Sequence, residues 1–269
     1  MKITSLGHGG AFASYAQGNS SFLIENNGEK LLFDCGPLTP LVLRDEMGID
    51  LFDINYIYIS HTHADHIGGL PLLLQHRFWI PRENKTKPII VAHVDVMREL
   101  MPFLQNELEH TNVITKESVS IEKFFEYHRI DDEAYVDALG EFMIQSERSY
   151  HTINSSTITN LGGEYKPCYG LKFYAKTRNY EYDYKLYVSG DNADYKYSLK
   201  YTVYLPECMI VDCETLPAQF ASGVHCPLTN LIDMNKKSVK MYLTHYSNES
   251  SVVLPENMEY FTKGKTITI

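Results

Sequence analysis

The segment YISHTHADHIGG, residues 58–69, constrains the fold of this chain more than any other feature. It places His61, His63, Asp65 and His66 within six positions, after a β-branched and aromatic run and before a leucine-rich run. That order predicts a strand followed by a helix, with the polar cluster in the loop between them. For a chain of this composition, the chance of meeting this spacing of three histidines and one aspartate is roughly one in a thousand.

The cluster is suited to holding metal ions. Residues two apart in an extended loop point to the same side, so His61 and His63 can present their imidazoles to one cation. Asp65 and His66 then fall to a second position. Imidazole nitrogen and carboxylate oxygen suit zinc and, less selectively, manganese or iron. We therefore predict a metal centre here rather than a polar loop of capping histidines.

Three further polar residues end or directly follow apolar, strand-like runs. His151 follows FMIQSERSY, Asp191 follows KLYVSG, and His245 follows KMYLT. Each of them alone is more typical of a satisfied loop or core residue. Because the same placement occurs three times, we predict that these side chains face the histidine loop and complete a binuclear site.

The apolar periodicity predicts the architecture. Both halves contain short β-rich runs, and helices are predicted over IGGLPLLLQHRF, DVMRELMPFLQNELEH with a kink at Pro102, SIEKFFEYHR and PLTNLIDMNK. An acidic connector, DDEAYVDALGE, separates the halves. This pattern predicts the α/β class, as an αβ/βα sandwich of two mixed β-sheets flanked by helices. We see no repeat or linker, and so expect a single domain over residues 1–269.

Charge and cysteine content limit the class of protein. A net charge of −10 opposes a grip on a long phosphate backbone but permits a small anion drawn to a metal. An odd number of cysteines without a C-x-x-C pair indicates a reducing cytoplasm, the host cytoplasm if the protein is viral. No apolar stretch approaches the ~18 residues of a membrane span. The cysteines are interpreted as small packing residues: Cys35, Cys168, Cys208, Cys213 and Cys226.

The ordered motifs SHTHADHIGGLPLLL, the lone His151, SGD and LTH resemble those of the metallo-β-lactamase-fold hydrolases. LGHGGAF, NSSFLIE and LLFDCG are similar to the opening strands of that family. The resemblance implies two zinc ions, with manganese as an alternative, and Asp65 as a group that orients the nucleophile or carries its proton. It also implies that Asp191 bridges the two metals. The other implied ligands are His61, His63 and His151 for one metal, and Asp65, His66 and His245 for the other.

The branch within that family follows from finer details. An Asp rather than a Cys at position 191 disfavours β-lactam hydrolysis, and His63 in place of a Glu disfavours oxygen reduction. DHIGGLPLLL, CYGLKFYA and VHCPLTNLI most resemble RNase Z. That resemblance implies that His225 donates a proton to the leaving group, supported by Asp212 or Glu214, between which the sequence does not decide. The alternative for His225 is a structural histidine at the start of a helix.

The chain departs from RNase Z between His151 and Asp191. About forty residues separate them, which leaves no room for the long arm that grips the tRNA elbow. In this respect the chain is similar to anti-Pycsar cyclic-nucleotide phosphodiesterases. The resemblance implies hydrolysis of 3′,5′-cyclic mononucleotides to nucleoside 5′-monophosphates by a homodimer, in phage counter-defence. The alternatives are an RNase Z-like tRNA 3′-end endonuclease, a lactonase, and a nucleotide-binding sponge without turnover.

Other residues have weaker patterns. Tyr180, Tyr182 and Tyr184 share one face of a predicted strand, where a cross-strand ladder or dimer contact is favoured over base stacking. Residues 95–140 depart most from the family resemblance, and we expect them to form the dimer contact or an active-site cover. The remaining histidines are interpreted as core or surface residues: His8, His76, His93, His110 and His128.

Overall fold

The computed structural model describes residues 1–131, 137–151, 166–176, 182–195, 204–216, 223–235 and 239–269. The strands in these ranges are β1 Lys2–Gly7, β2 Ser21–Asn26, β3 Glu29–Phe33, β4 Tyr56–Ile59, β5 Ile89–His93, β6 His110–Thr111, β7 Ser118–Val119, β8 Glu126–Ile130, β9 Asp137–Leu139, β10 Phe142–Arg148, β11 Tyr169–Lys176, β12 Tyr182–Val188, β13 Cys208–Asp212, β14 Lys240–Thr244, β15 Met258–Tyr260 and β16 Thr266–Thr268. The α-helices are α1 Thr39–Leu41, α2 Ala64–Ile67, α3 Leu70–Trp79, α4 Val94–Leu108 and α5 Leu228–Met234. A π-helical turn, Val42–Glu46, and 3₁₀ turns at Leu51–Asp53 and Ile121–Lys123 complete the list.

The described strands form two seven-stranded sheets and one small hairpin. The first sheet has the order β16-β1-β2-β3-β4-β5-β8, and the second has the order β15-β14-β13-β12-β11-β10-β9. Each sheet is antiparallel on one side and parallel on the other. The parallel pairs require crossover connections, which α3, α4 and α5 contribute to. The predicted sandwich of two mixed sheets is confirmed.

Apolar side chains fill three interlayer spaces. Phe33 and Tyr58 of the first sheet pack in one cluster with Phe142 and Phe173 of the second. A second cluster joins the first sheet to α3 and α4, and a third packs α5 on the second sheet. The two sheets therefore lie between helical layers, as an αβ/βα sandwich requires.

Strand direction brings the predicted site residues to one edge. β3 and β4 run parallel, so their carboxyl ends meet at the same edge of the first sheet. In the second sheet, β10 and β12 are both antiparallel to β11, and β12, β13 and β14 are parallel. Their carboxyl ends therefore also share an edge. Backbone hydrogen bonding across the sandwich, from Tyr169 N to Ser60 O at 3.0 Å, joins the two edges.

Two local predictions are corrected. The helix predicted over SIEKFFEYHR is reduced to the single 3₁₀ turn Ile121–Lys123, and the last four residues of that segment belong to β8. The reason is tertiary, because β8 gains a full register of parallel pairing with β5. The acidic connector is also not wholly a loop, because β9 pairs with β10. The predicted helix α4 continues through Pro102, and its kink stays a prediction.

The structure also bears on the predictions for the cysteines, the tyrosine run and membrane spans. All five cysteines are buried free thiols, which confirms their packing role. Tyr184 stacks on Tyr174 of the neighbouring strand with ring centroids 5.1 Å apart, as a cross-strand pair would, whereas Tyr182 is exposed. Tyr180 lies outside the described residues. In the part of the chain that the structure describes, no helix combines the length and apolarity needed to cross a bilayer.

Candidate metal centre

The histidine loop has the predicted strand, loop and helix order. β4 ends at Ile59, and Ser60 and His61 follow it into the interior with their side chains buried. His63 has extended backbone angles, φ −70° and ψ 148°, and α2 begins at the next residue. Asp65 and His66 therefore project from a single helical turn instead of continuing the loop.

The first predicted ligand group converges on one point. The Nε2 atom of His61 and the Nε2 atom of His151 each lie 3.0 Å from the Nδ1 atom of His63. His151 lies three positions after the end of β10 and 88 positions along the chain from His63. Three imidazole nitrogens directed at one another in this way are the arrangement that a shared cation would stabilise.

The second predicted group also assembles. The Nε2 atom of His245 lies 3.2 Å from Asp65 Oδ2 and 3.3 Å from His66 Nε2. Asp65 Oδ2 and His66 Nε2 are 3.5 Å apart. His245, directly after β14, has a φ of 58°, which turns the chain sharply at the carboxyl end of that strand.

Asp191 lies between the two groups. Its Oδ2 atom is 3.4 Å from His151 Nε2 and 3.6 Å from His61 Nε2. Its Oδ1 atom is 3.3 Å from His66 Nε2 and 3.5 Å from His245 Nε2. Each carboxylate oxygen thus faces a different ligand group, as a bridging carboxylate requires. The structure brings all seven predicted ligands together.

Hydrogen bonds orient three of the histidine rings. Their Nδ1 partners are Ser60 Oγ for His61 at 3.0 Å, Asp34 Oδ2 for His66 at 2.8 Å, and Val224 O for His151 at 3.0 Å. With the proton on Nδ1, each ring directs the lone pair of Nε2 into the site. Such partners are typical of metal-binding histidines.

The pKa shifts of the buried histidines also favour the binding of cations. Burial, followed by neighbouring histidines, holds the pKa of His61 well below its usual range and lowers the pKa of His63 to about 4. Burial lowers the pKa of His66 too, but Asp191 and Asp34 outweigh it and raise that pKa well above the usual value. These two buried carboxylates therefore favour positive charge, which bound dications would supply in place of a proton.

Burial would raise the pKa values of Asp65 and Asp191, but the histidines around them reverse the direction. Hydrogen bonds from His245 and His66 lower the pKa of Asp65. The charges of His245, His66 and His61 hold the pKa of Asp191 well below its usual range. Both side chains are carboxylates at neutral pH, the form that binds a metal.

Asp34 is a site residue that the sequence interpretation missed. It follows β3 with a φ of 58° and accepts hydrogen bonds from Ser60 N at 2.8 Å, Ser60 Oγ at 2.7 Å and His66. It therefore positions His66 directly and His61 through Ser60. A signal was present, because Asp34 ends the apolar run LLFD in the same way that Asp191 ends a later one.

We expect Asp34→Asn to weaken Zn²⁺ affinity roughly 10- to 100-fold, as loss of a partner to a metal-binding histidine usually does. Asparagine tolerates the left-handed backbone, so the loop geometry is kept. Affinity would be measured by competition with a chromogenic chelator. Asp53→Asn, at a half-exposed position, is the control. Unchanged affinity in Asp34→Asn would contradict the orienting role.

His225 lies beside the two ligand groups, and its hydrogen bonds identify the carboxylate that supports it. Its Nδ1 donates to Asp212 Oδ2 at 2.8 Å, and Tyr195 OH donates to the other oxygen of Asp212. Glu214 instead accepts from the backbone of Leu216. Asp212 is therefore the supporting carboxylate.

The same contact governs the protonation of His225. Burial lowers its pKa, but the hydrogen bond to Asp212 and the charge of Asp191 outweigh burial and raise the pKa to about 9. The imidazolium form is thus favoured at neutral pH. His225 also groups with Asp191 and His245 among the side chains that could hold a metal. Its raised pKa favours a ring protonated on both nitrogens, which has a proton to donate and no lone pair for a metal.

A cavity of about 390 Å³ opens onto the site. Its lining includes His63, Asp65, Asp191, His225 and His245. It also includes residues 9–13 of the glycine-rich loop that follows β1. No lysine or arginine is among its described lining residues. Among these lining residues, positive charge can therefore come only from histidines, His225 above all, and from any cation that the ligand groups hold.

His8, although it belongs to that glycine-rich loop, has a structural role. Its ring stacks on Tyr246 at 4.8 Å, and its Nδ1 accepts a hydrogen bond from Lys263 N. Among the described residues, the groups able to hold a metal contain none of the histidines interpreted as ordinary: His8, His76, His93, His110 and His128.

Comparison with known proteins agrees with this geometry. The metallo-beta-lactamase fold protein YhfI of Bacillus subtilis superposes with a TM-score of 0.69 over 99% of both chains, at 15% identity, which shows the fold. A Ribonuclease Z of Treponema denticola is 31% identical over 172 residues, covering 62% of this chain and 46% of the relative. This supports the RNase Z-like branch over part of the chain.

Similarity over the full length identifies the family. The Anti-Pycsar protein Apyc1 of Bacillus phage vB_BveM-Goe7 is 27% identical over 277 residues, covering 100% of this chain and 98% of the relative. The family model described as Anti-Pycsar protein Apyc1 matches residues 1–266. With its metallo-β-lactamase fold and two facing ligand groups, the chain belongs to the anti-Pycsar protein Apyc1 family.

Proposed function

We propose that this chain is a binuclear metal-dependent phosphodiesterase that hydrolyses 3′,5′-cyclic mononucleotides to nucleoside 5′-monophosphates. The observation that carries the proposal is the position of Asp191, with one oxygen toward each ligand group and His225 beside it. We further propose that the seven ligands named above hold two Zn²⁺ ions, with Mn²⁺ as the alternative metal. Family membership suggests a role in phage counter-defence.

Two dications held in this way would neutralise charge on the phosphoryl oxygens and lower the pKa of the attacking water. Asp65, ionised and 3.2 Å from His245 Nε2, is placed to orient that water or to carry its proton. The water oxygen forms a bond to phosphorus as the bond from phosphorus to the 3′ oxygen breaks.

His225 acts on the leaving group. A departing ribose 3′ alkoxide is a poor leaving group, so a proton is needed as the bond breaks. The Nδ1 atom of His225 donates to Asp212, which leaves the Nε2 proton available for the 3′ oxygen. The raised pKa keeps that proton in place at neutral pH. Bound dications would lower this pKa from about 9 toward the working range of a general acid.

The charge of the cavity supports a compact substrate. A cyclic mononucleotide carries one negative charge, which the dications and His225 can balance without lysine or arginine. A long RNA needs many phosphate contacts, for which a net charge of −10 is unsuited. We also propose that the protein works as a homodimer, with residues 95–140 at the dimer contact or covering the site.

One substrate panel tests the function. Zinc- or manganese-loaded protein would be incubated with 3′,5′-cyclic nucleotides, a tRNA precursor and an acyl lactone, with products separated by chromatography. We expect a nucleoside 5′-monophosphate from the cyclic nucleotides, and no reaction after exhaustive chelation. Cleavage of the tRNA precursor alone would replace the proposal with an RNase Z-like activity, which the partial similarity to Ribonuclease Z supports. Stoichiometric nucleotide binding without turnover would indicate a sponge.

A further inference from the structure

We propose that Phe12 is the nucleobase-binding residue of this site, stacking its ring on the base while the phosphate lies at the metal centre. This inference rests on the proposed function and extends it to the part of the substrate that the metals do not touch. Phe12 is fully exposed, yet it lines the same cavity as Asp65, Asp191 and His225. It is the only phenylalanine, tyrosine or tryptophan among the described lining residues.

The loop that carries Phe12 is built against the metal centre. A Cβ atom on Gly10 would lie 2.7 Å from His245 Cε1, so only glycine allows the loop to approach this ring. Asn19 Nδ2 donates to Gly10 O, and Ala13 N donates to Gly10 O at 3.1 Å, which closes a turn around Phe12. The position of Phe12 is thereby tied to that of His245.

Further hydrogen bonds hold the two ends of the loop. Gly9 N donates to Gly18 O at 2.9 Å. The side chain of Gln17 contacts Ser14 and the backbone of Ser247, two positions after His245. Because these bonds hold the backbone around Phe12, stacking of its ring on a ligand would cost little backbone entropy. The loop therefore presents a preformed apolar face at the rim of the cavity.

The chemistry of the cavity separates two ends. The ligand carboxylates and histidines lie at one end, where the cations they would hold suit the cyclic phosphate. Phe12 and the partly exposed Leu216 supply apolar surface elsewhere in the cavity. Every nucleobase offers a flat aromatic face, so a ring that stacks on it tolerates different bases. Recognition by Phe12 therefore predicts broad acceptance of bases, with purines favoured by their larger overlap.

The test compares substrates with and without a base. Phe12→Ala, Phe12→Leu and Phe12→Tyr would be assayed with 3′,5′-cyclic AMP, 3′,5′-cyclic UMP and the 3′,5′-cyclic phosphate of methyl riboside. We expect Phe12→Ala to raise KM for cyclic AMP roughly tenfold, and for cyclic UMP by less. The preference in kcat/KM for cyclic AMP over the baseless analogue should fall by a similar factor. Tyrosine should restore it, whereas leucine should not.

The control is Val253→Ala, another strongly exposed apolar side chain, which should keep the wild-type preference. A Phe12→Ala variant with the wild-type preference would overturn the proposal. So would a shift in oligomeric state by light scattering without a change in preference, since Phe12 would then contact a second copy. If the wild type turns over no cyclic nucleotide, the proposed function fails, and calorimetric binding of cyclic AMP decides about Phe12. Weaker binding by Phe12→Ala would support stacking, and no binding by the wild type would overturn it.

Discussion

Asp191→Ala is expected to lower hydrolysis of 3′,5′-cyclic nucleotides by roughly 10³-fold or more and to reduce the bound metal to at most one ion per chain. The reason is geometric, because one carboxylate serves both ligand groups, with His66 Nε2 3.3 Å from Oδ1 and His151 Nε2 3.4 Å from Oδ2. Its removal also leaves several buried imidazoles without the negative charge that balances bound cations. Metal content would be measured by plasma mass spectrometry on the same samples used for kinetics.

The matched control for this substitution is Asp53→Ala. Asp53 ends a 3₁₀ turn, and its side chain is 45% exposed and 3.6 Å from Lys30, so its loss should change neither metal content nor rate. Asp191→Asn separates charge from volume, since the amide is nearly the same size. Two bound metals and a rate within tenfold of wild type in Asp191→Ala would show that the carboxylate does not bridge.

His225→Ala is expected to lower kcat for cyclic nucleotides roughly 10²- to 10⁴-fold while both metals stay bound. His225 donates its Nδ1 proton to Asp212 at 2.8 Å, and its pKa, raised to about 9, favours a proton on Nε2 as well, so the ring offers a proton rather than a lone pair. The loss should depend on the leaving group. With bis(p-nitrophenyl) phosphate, whose nitrophenolate leaves without protonation, the variant should lose far less activity than with a cyclic nucleotide.

Asp212→Asn provides a second measurement of the same role. The pKa of His225 is raised to about 9 against the effect of burial, through the hydrogen bond and charge of Asp212. Without that charge the pKa of His225 falls, so the proton is lost at lower pH and the alkaline limb of the kcat profile moves toward acid. His110→Ala, at an exposed histidine, is the control.

An equal loss on both types of substrate in His225→Ala would contradict proton donation to the leaving oxygen.

The fold and the ligand set were largely predictable, and the reason lies in their periodicity. Strand ends can be read from apolar runs, so the sequence alone predicts that His151, Asp191 and His245 lie at such ends. The segment that forms β8 was misread as a helix, because its apolar residues fit helical spacing locally. Its pairing with β5 depends on a register between residues far apart in the chain. Asp34 was missed because its role depends on Ser60 and His66, which reach it only after folding.

By itself, the sequence determined the chemistry of the site, because six positions of YISHTHADHIGG carry four candidate ligands, three histidines and one aspartate, whose spacing is set by local backbone geometry. Tertiary structure decided how those groups meet. His245 reaches Asp65 across 180 positions, and Asp212 rather than Glu214 reaches His225, only in the folded chain. The placement of Phe12 at the rim likewise depends on the packing of its loop against His245. Local spacing determines which atoms can bind a metal, whereas long-range pairing determines their distances and directions.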